Sequence, residues 1–420
     1  MSATTIVTEP ASGSSSLIEL ERRVLVQNYA RYPLALRRGK GCWLYDWDGK
    51  RYLDLIAGIG VNALGHAHPR IVKAIRDQAA LLIHTSNLYY HEFQGRLAQK
   101  LSEISGLERS FFCNSGAEAV EGALKMARVR GRRSHPDKIE VISLENSFHG
   151  RTMGALSVTG QAKYRTEFEP LVPGARFVPA NDLAALEQAA GGRTAAILIE
   201  GVQGEGGIYR TAPEFLRRAR TLCEAYDALL VFDEVQCGVG RPGAYFSYQL
   251  TDPPVLPDIV VAAKPLACGL PLGVIVANEK SAAALGAGQH GSTFGGGPLA
   301  CRVALEFFEI LEELLPSIRR VGAYFQGRLE ELRDDFDFIA EVRAFGLMIA
   351  VELKMPGKQL VLDAIGHGLL INCTHERVLR FLPPYIITEK EVDHAVARLR
   401  RVFRQARAYW REHRRAAGGV

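Results

Sequence analysis

The chain has 420 residues, 47% of them hydrophobic and 23% charged, with a formal net charge of +5. A chain of this length predicts two or three domains of an ordinary globular protein. No apolar run approaches membrane-spanning length. The seven cysteines are odd in number, scattered and without a C-x-x-C pair, so neither a disulfide framework nor a zinc site is indicated, and a reducing cytoplasm fits.

Residues 1–16, "MSATTIVTEPASGSSS", have neither a basic n-region nor an apolar h-region and read as a disordered tail. "GCWLYDWDGKRYLDLIAGIG" (41–60) reads as a hairpin turning at Asp48 and Gly49. From about 107 to 280, apolar runs at 110–114, 141–146, 195–202, 228–235, 258–264 and 272–278 alternate with helical segments such as 116–130 and 213–226, and a further helix follows at 298–315. Nearly continuous apolar strands separated by helices predict an α/β fold, a mostly parallel sheet covered on both faces. Ligands on such sheets sit beyond the carboxyl ends of the strands. A helix over 317–336, strands near 347–353 and 378–382 and a helix from about 388 follow. In the last helix Val392, Val396, Leu399, Val402, Phe403 and Ala406 recur at helical spacing, so its arginines form a solvated face rather than a nucleic-acid arm. The predicted division is a segment 17–65 packed with a smaller α+β domain at 316–420, around a large domain at 66–315.

Chemistry concentrates where the strands end. "DIVVAAKPLACGLPLG" (258–273) sets Lys264 at the inner end of an apolar strand, where leaving water is costly for an ammonium, unless it snorkels to solvent. In "CNSGAEAVEGALKMAR" (113–128), Ser115 with Glu118 forms a capping box. The free N–H groups of Gly116 and Ala117 at the same helix start also make an anion site. "ALLVFDEVQCGVGRPG" ends a buried run in Asp233 and Glu234, and each carboxylate requires a partner. "SFHGRT" (147–152), "EGVQGEGG" (200–207) and the glycine-rich "HGSTFGGGP" (290–298) complete the set.

Singly these stretches are weak signals; their order and spacing are not. Together with "NYARYPLALRRGKG", "VNALGHAHP", "TSNLYYHE" and "VLRFLPPYIIT", they resemble the class III aminotransferases, pyridoxal-phosphate enzymes of fold type I, and most closely the acetylornithine aminotransferase branch. The resemblance covers nearly the whole chain. It implies that Lys264 binds the cofactor covalently and that Asp233 holds the pyridine nitrogen protonated. It places Val235 and Phe148 on the two ring faces and Gln236 at the phenolate oxygen. Ser115, Gly116 and Ala117 would hold the phosphate, joined by Thr293 of a neighbouring subunit, so the implied assembly is a homodimer with its active site at the subunit interface. Arg151 is implied for the substrate α-carboxylate and Arg380 for that of 2-oxoglutarate. Glu205 would cover Arg380 while the amine donor is bound, and Tyr29 would lie near the substrate. The implied reaction transfers the terminal amino group of N2-acetylornithine to 2-oxoglutarate, with ornithine, succinylornithine, 4-aminobutyrate or a carrier-bound lysine as alternative donors. No nucleic-acid, membrane or metal partner is expected. Pro265, Ala267, Cys268 and Gly297 depart from the family's usual residues, and "AGIG" (57–60) lacks the tyrosine that ornithine enzymes tend to carry.

A dinucleotide-binding oxidoreductase is the rival from another class, because 58–63 and 286–291 match G-x-G-x-x-[AG]. The first lacks the acidic residue about 20 positions on, and the second follows a helix rather than a strand.

Overall fold

In the computed structural model, which describes residues 13–416, seven strands form one sheet. Their order is Arg109–Cys113, Gly273–Ala277, Ile259–Ala262, Leu229–Asp233, Thr194–Ile199, Glu140–Leu144 and Ala175–Val178. Gly273–Ala277 runs antiparallel to both its neighbours and the other strands run one way. The central strands are apolar throughout because both faces are covered. Leu198, Val231, Val261 and Ile275 pack beneath the helix Gly116–Ser134 through Val120, Ala123 and Ala127. The alternate residues Ile199, Phe232, Val260 and Val276 face the opposite core, which includes Cys301, Phe307 and Leu311 of a long helix, Pro298–Asp335. Each such side chain taken fully from water contributes roughly 1.5–3 kcal/mol.

That long helix merges the two helices read at 298–315 and 317–336. Pro316 lies inside it. The proline removes one hydrogen bond, but Leu311 and Ile318 on either side are both fully buried, and their packing carries the helix through. Several strands escaped the sequence pattern, two of them instructive. Ala175–Val178 is an edge strand with only Val178 buried, and Ile339–Phe345 is interrupted by Glu341 and Arg343. Ile339–Phe345 pairs in an antiparallel sheet of order Ile339–Phe345, Met348–Leu353, Val378–Phe381, Asn372–Thr374. A further sheet joins Leu36–Lys40, Trp43–Asp46 and Arg51–Asp54 to Leu369–Leu370, so the opening hairpin is bound to the C-terminal part of the chain.

Of the stretch read as a tail, residues 1–12 lie outside the described residues. Ser14–Ser16 are not tail-like: they begin a helix, Ser14–Val24, whose last turn carries Arg22 and Arg23 against the negative helix end. The C-terminal helix spans Glu389–Ala416, and its six apolar positions named above are buried. All seven cysteines are free. Among the described residues no helix is long and apolar enough to cross a membrane, and no cluster of His, Cys, Asp and Glu could hold a metal ion.

Candidate active site

The strand ends converge on a cavity of about 470 Å³, lined among others by Ser115, Phe148, Arg151, Asp233, Gln236 and Lys264. Ser115 caps the helix Gly116–Ser134, its Oγ accepting the Glu118 N–H at 3.2 Å. The capping box is shifted by one residue, since Glu118 takes the N–H of Asn114 at 2.7 Å rather than that of Ser115. The N–H groups of Gly116 and Ala117 therefore point out of the helix start without an intrahelical acceptor. A Cβ on Gly116 would stand 2.7 Å from Val235 Cγ1, so only glycine lets the helix end approach that side chain so closely.

Asp233 ends its strand buried, with Oδ1 accepting the Val235 N–H at 3.0 Å and Oδ2 facing His149 Nδ1 at 2.7 Å. Burial alone would lower the histidine. The hydrogen bond to Asp233 and the charges of Asp233 and Glu200 outweigh burial and raise it. Glu200 accepts the Phe148 N–H at 3.0 Å and thereby fixes the backbone beneath that ring. Burial pushes its carboxyl up to about 7. The neighbouring Glu234 is satisfied structurally, by the N–H and hydroxyl of Ser247 and the N–H of Tyr248.

Lys264 opens a short turn, Lys264–Ala267, in which Pro265 occupies a position whose N–H has no acceptor to lose. Burial lowers its amine below the ordinary lysine value; Asp233, Glu205 and Glu200 pull the other way, through space and without a direct bond. The strand-end lysine does not snorkel away: it lines the cavity.

Beside Gln236 stands Arg380, 1% exposed. It donates to Glu205 Oε1 at 2.6 Å, Gln236 Oε1 at 3.0 Å, the Gly204 carbonyl at 3.1 Å and Asn372 Oδ1 at 3.2 Å. Burial raises the Glu205 carboxyl, but the Arg380 charge and hydrogen bond outweigh it and hold Glu205 below its ordinary value. With the Gln236 carbonyl taken by Arg380, the amide N–H groups are what Gln236 has to offer. Arg151 is exposed and lies 3.8 Å over the Tyr164 ring and 5.4 Å from Phe148, held by ring faces rather than by a carboxylate.

Arg380 and Glu205 do not line the cavity themselves and join it through Gln236, which does; Tyr29 and Thr293 are not brought to it. Tyr29 lies 70% exposed and lines a second cavity of about 880 Å³, with Asp54, Ile56 and Cys373. Thr293 is exposed in the loop before the helix Pro298–Asp335, where its neighbour Ser292 receives the Asn114 side chain at 3.0 Å. His149, Glu200 and Asn372 acquire places that the sequence had not given them. Asn372 is the register partner of Arg380 across an antiparallel pair, a relation visible only once the strands are paired. Neither glycine motif of the rival reading follows a strand of the large sheet: 58–63 overlaps a turn at Ala57–Gly60 whose residues all have positive φ, and 286–291 follows the helix Glu279–Ala282.

The model of the class III aminotransferase family matches residues 25–403. The chain belongs to that family. It is a transaminase dependent on pyridoxal 5'-phosphate, and the cavity suits the group: unpaired helix N–H donors for a phosphate, Asp233 for a pyridinium, an amide donor in Gln236 and an amine in Lys264. Among relatives of the transaminase, the acetylornithine aminotransferase of Methanocaldococcus jannaschii is 49% identical over 92% of this chain and 97% of its own. That of Aquifex aeolicus is 46% identical over 90% and 99%. Among solved structures, the ornithine aminotransferase of Toxoplasma gondii superposes with a TM-score of 0.90 at 34% identity, covering 94% of this chain and 96% of that one. The acetylornithine aminotransferase of Elizabethkingia anophelis gives 0.83 at 32%, covering 94% and 99%.

Proposed function

We propose that this transaminase moves the terminal amino group of N2-acetylornithine to 2-oxoglutarate, giving N-acetylglutamate 5-semialdehyde and glutamate, a step of arginine biosynthesis in the cytoplasm. The observation that carries this is the pair of buried Arg380 with partly buried Glu205, at 2.6 Å and joined to the lysine cavity through Gln236. One site must take 2-oxoglutarate, with a carboxylate beside its reacting carbon, in one half-reaction and a terminal amine with no carboxylate beside its reacting carbon in the other. A guanidinium that a mobile carboxylate hides or exposes meets both needs without rebuilding the pocket. The names of the relatives at 46–49% identity support the choice of donor.

In this scheme the helix start at Ser115, Gly116 and Ala117 would hold the phosphate. Val235 and Phe148 would flank the ring, and Gln236 would donate to its phenolate oxygen. Asp233, oriented by His149, would keep the pyridine nitrogen protonated. The bound cofactor supplies a carbonyl for the amine and an electron sink for the carbanion. Lys264 Nζ, with its proton affinity reduced by burial, removes and returns the proton at the substrate carbon. Arg151 holds one carboxylate of the substrate, and Arg380, once uncovered, holds the α-carboxylate of 2-oxoglutarate.

We also propose a homodimer in which Thr293 of one subunit completes the phosphate site of the other. Supporting this, Leu81, Leu88, Tyr90 and Phe294 are 80%, 83%, 104% and 69% exposed. They lie on two segments tied together by the Asn87 side chain and the Gly295 carbonyl at 3.0 Å, so four large apolar side chains face water side by side. The domain division at 65 and 315 and a substrate contact for Tyr29 belong to the same proposal.

Ornithine is the second reading, favoured by the likeness to the Toxoplasma enzyme. Initial rates with N-acetylornithine, ornithine, succinylornithine and 4-aminobutyrate, each with 2-oxoglutarate, separate them. N-acetylornithine is expected to give the highest kcat/KM, and a higher value for ornithine would overturn the proposal.

A further inference from the structure

Glu205 sits at the tip of a two-stranded hairpin, Val202–Gln203 with Tyr209–Arg210, closed by Ile208 N–H to the Gln203 carbonyl at 2.8 Å. Three glycines, Gly204, Gly206 and Gly207, surround it, and Gly207 has φ +111. Such a tip would be expected to be loose, yet four of its carbonyls are gripped by side chains of the small antiparallel sheet. The Gly204 carbonyl accepts from Arg380, and that of Glu205 from Thr374 Oγ1 at 2.6 Å. The carbonyls of Gly207 and Ile208 accept from Arg343, at 2.7 and 3.3 Å. Arg343 is itself held: its guanidinium meets Glu341 and Glu352 at 2.5 Å each and lies 4.0 Å over the Tyr209 ring, and the Tyr209 hydroxyl donates to Glu352 at 2.6 Å. Ile208, a buried β-branched residue, is kept at φ +59, a conformation that persists only where its surroundings enforce it.

We propose that Thr374 and Arg343 are positioning residues that pin the backbone of 204–208, so that Glu205 covers Arg380 by default and uncovers it by rotating its own side chain. This rests on the guarded-arginine function proposed above. The pin sets how costly it is for a dicarboxylate to displace Glu205. A site whose binding-competent form is held at low population binds more weakly by that fraction. Loosening the pin therefore strengthens dicarboxylate binding, whereas simple structural damage weakens it.

The test is calorimetric titration of the holoenzyme with glutarate, a dicarboxylate with neither a keto nor an amino group to react, in the parent and in Glu205→Ala, Thr374→Val and Arg343→Lys. Glu205→Ala is expected to tighten glutarate about tenfold or more, and Thr374→Val and Arg343→Lys about three- to tenfold, in the same direction. Thr374→Val keeps the shape of the side chain and loses its bonds to the Glu205 carbonyl at 2.6 Å and to the Glu205 carboxylate at 3.4 Å, so it decides whether Thr374 holds the guard if Arg343→Lys, which frees backbone carbonyls alone, fails to assemble. Glutarate binding that tightens with Glu205→Ala but is unchanged or weaker in Thr374→Val overturns the pin while sparing the guard. Unchanged binding in Glu205→Ala overturns the guard itself, and the pin with it.

Discussion

Replacing Arg380 with alanine separates the two half-reactions. Arg380 is 1% exposed and makes four hydrogen bonds within the protein. Truncating one partner of such a buried charged contact costs about 2–5 kcal/mol. If the dicarboxylate loses about 3 kcal/mol, its apparent KM rises roughly a hundredfold, since 1.4 kcal/mol corresponds to tenfold. The amine donor does not use the guanidinium directly. Its loss is limited to the Glu205 carboxylate left behind, which is 22% exposed and partly rehydrated, and should stay within about tenfold. Without Arg380, burial is the dominant influence on Glu205, and its carboxyl should move up from its present depressed position. Steady-state kinetics with each substrate varied in turn read this out. Equal losses for 2-oxoglutarate and N-acetylornithine would refute the assignment of Arg380 to the keto acid.

Lys264→Ala should abolish turnover while cofactor still binds non-covalently through the helix start, as seen by equilibrium dialysis; retained turnover would remove Lys264 from the chemistry. Gly116→Val should weaken cofactor binding about tenfold or more, because even a Cβ meets Val235 at 2.7 Å, and unchanged affinity would argue against that helix end as the phosphate site. Burial raises Glu200 from 4.5 to about 7, so the folded chain keeps a proton that the unfolded chain releases, and this stabilisation, full below about 4.5, is lost as pH rises through 7. Glu200→Gln keeps an acceptor for the Phe148 N–H and should flatten the fall in thermal midpoint of the cofactor-free protein between pH 5 and 8; an unaltered slope would count against a protonated Glu200.

The large sheet was legible because its strands are buried on both faces and so read as unbroken apolar runs. The cofactor residues sit at the carboxyl ends of those strands, where Lys264, Asp233 and Ser115 each break an apolar or helical pattern. The edge strand Ala175–Val178 and the strand Ile339–Phe345 were missed for the converse reason, since half-exposed or charge-bearing strands carry little apolar signal. The single helix Pro298–Asp335 was divided because a proline is a strong local stop, and only packing on both sides overrides it. Partnerships across the molecule were the least legible. His149 with Asp233, Asn372 with Arg380 and Arg343 with the Glu205 hairpin depend on strand pairing and domain packing, for which spacing along the chain has no counterpart.

The most direct test is the visible spectrum of the purified holoenzyme, recorded before and after adding N-acetylornithine, ornithine or 4-aminobutyrate without any keto acid. The band of the lysine-bound cofactor should bleach fastest with N-acetylornithine and return on adding 2-oxoglutarate. Faster bleaching by another donor would contradict the proposed substrate, and failure to reconstitute any band with pyridoxal phosphate would contradict the site built around Lys264.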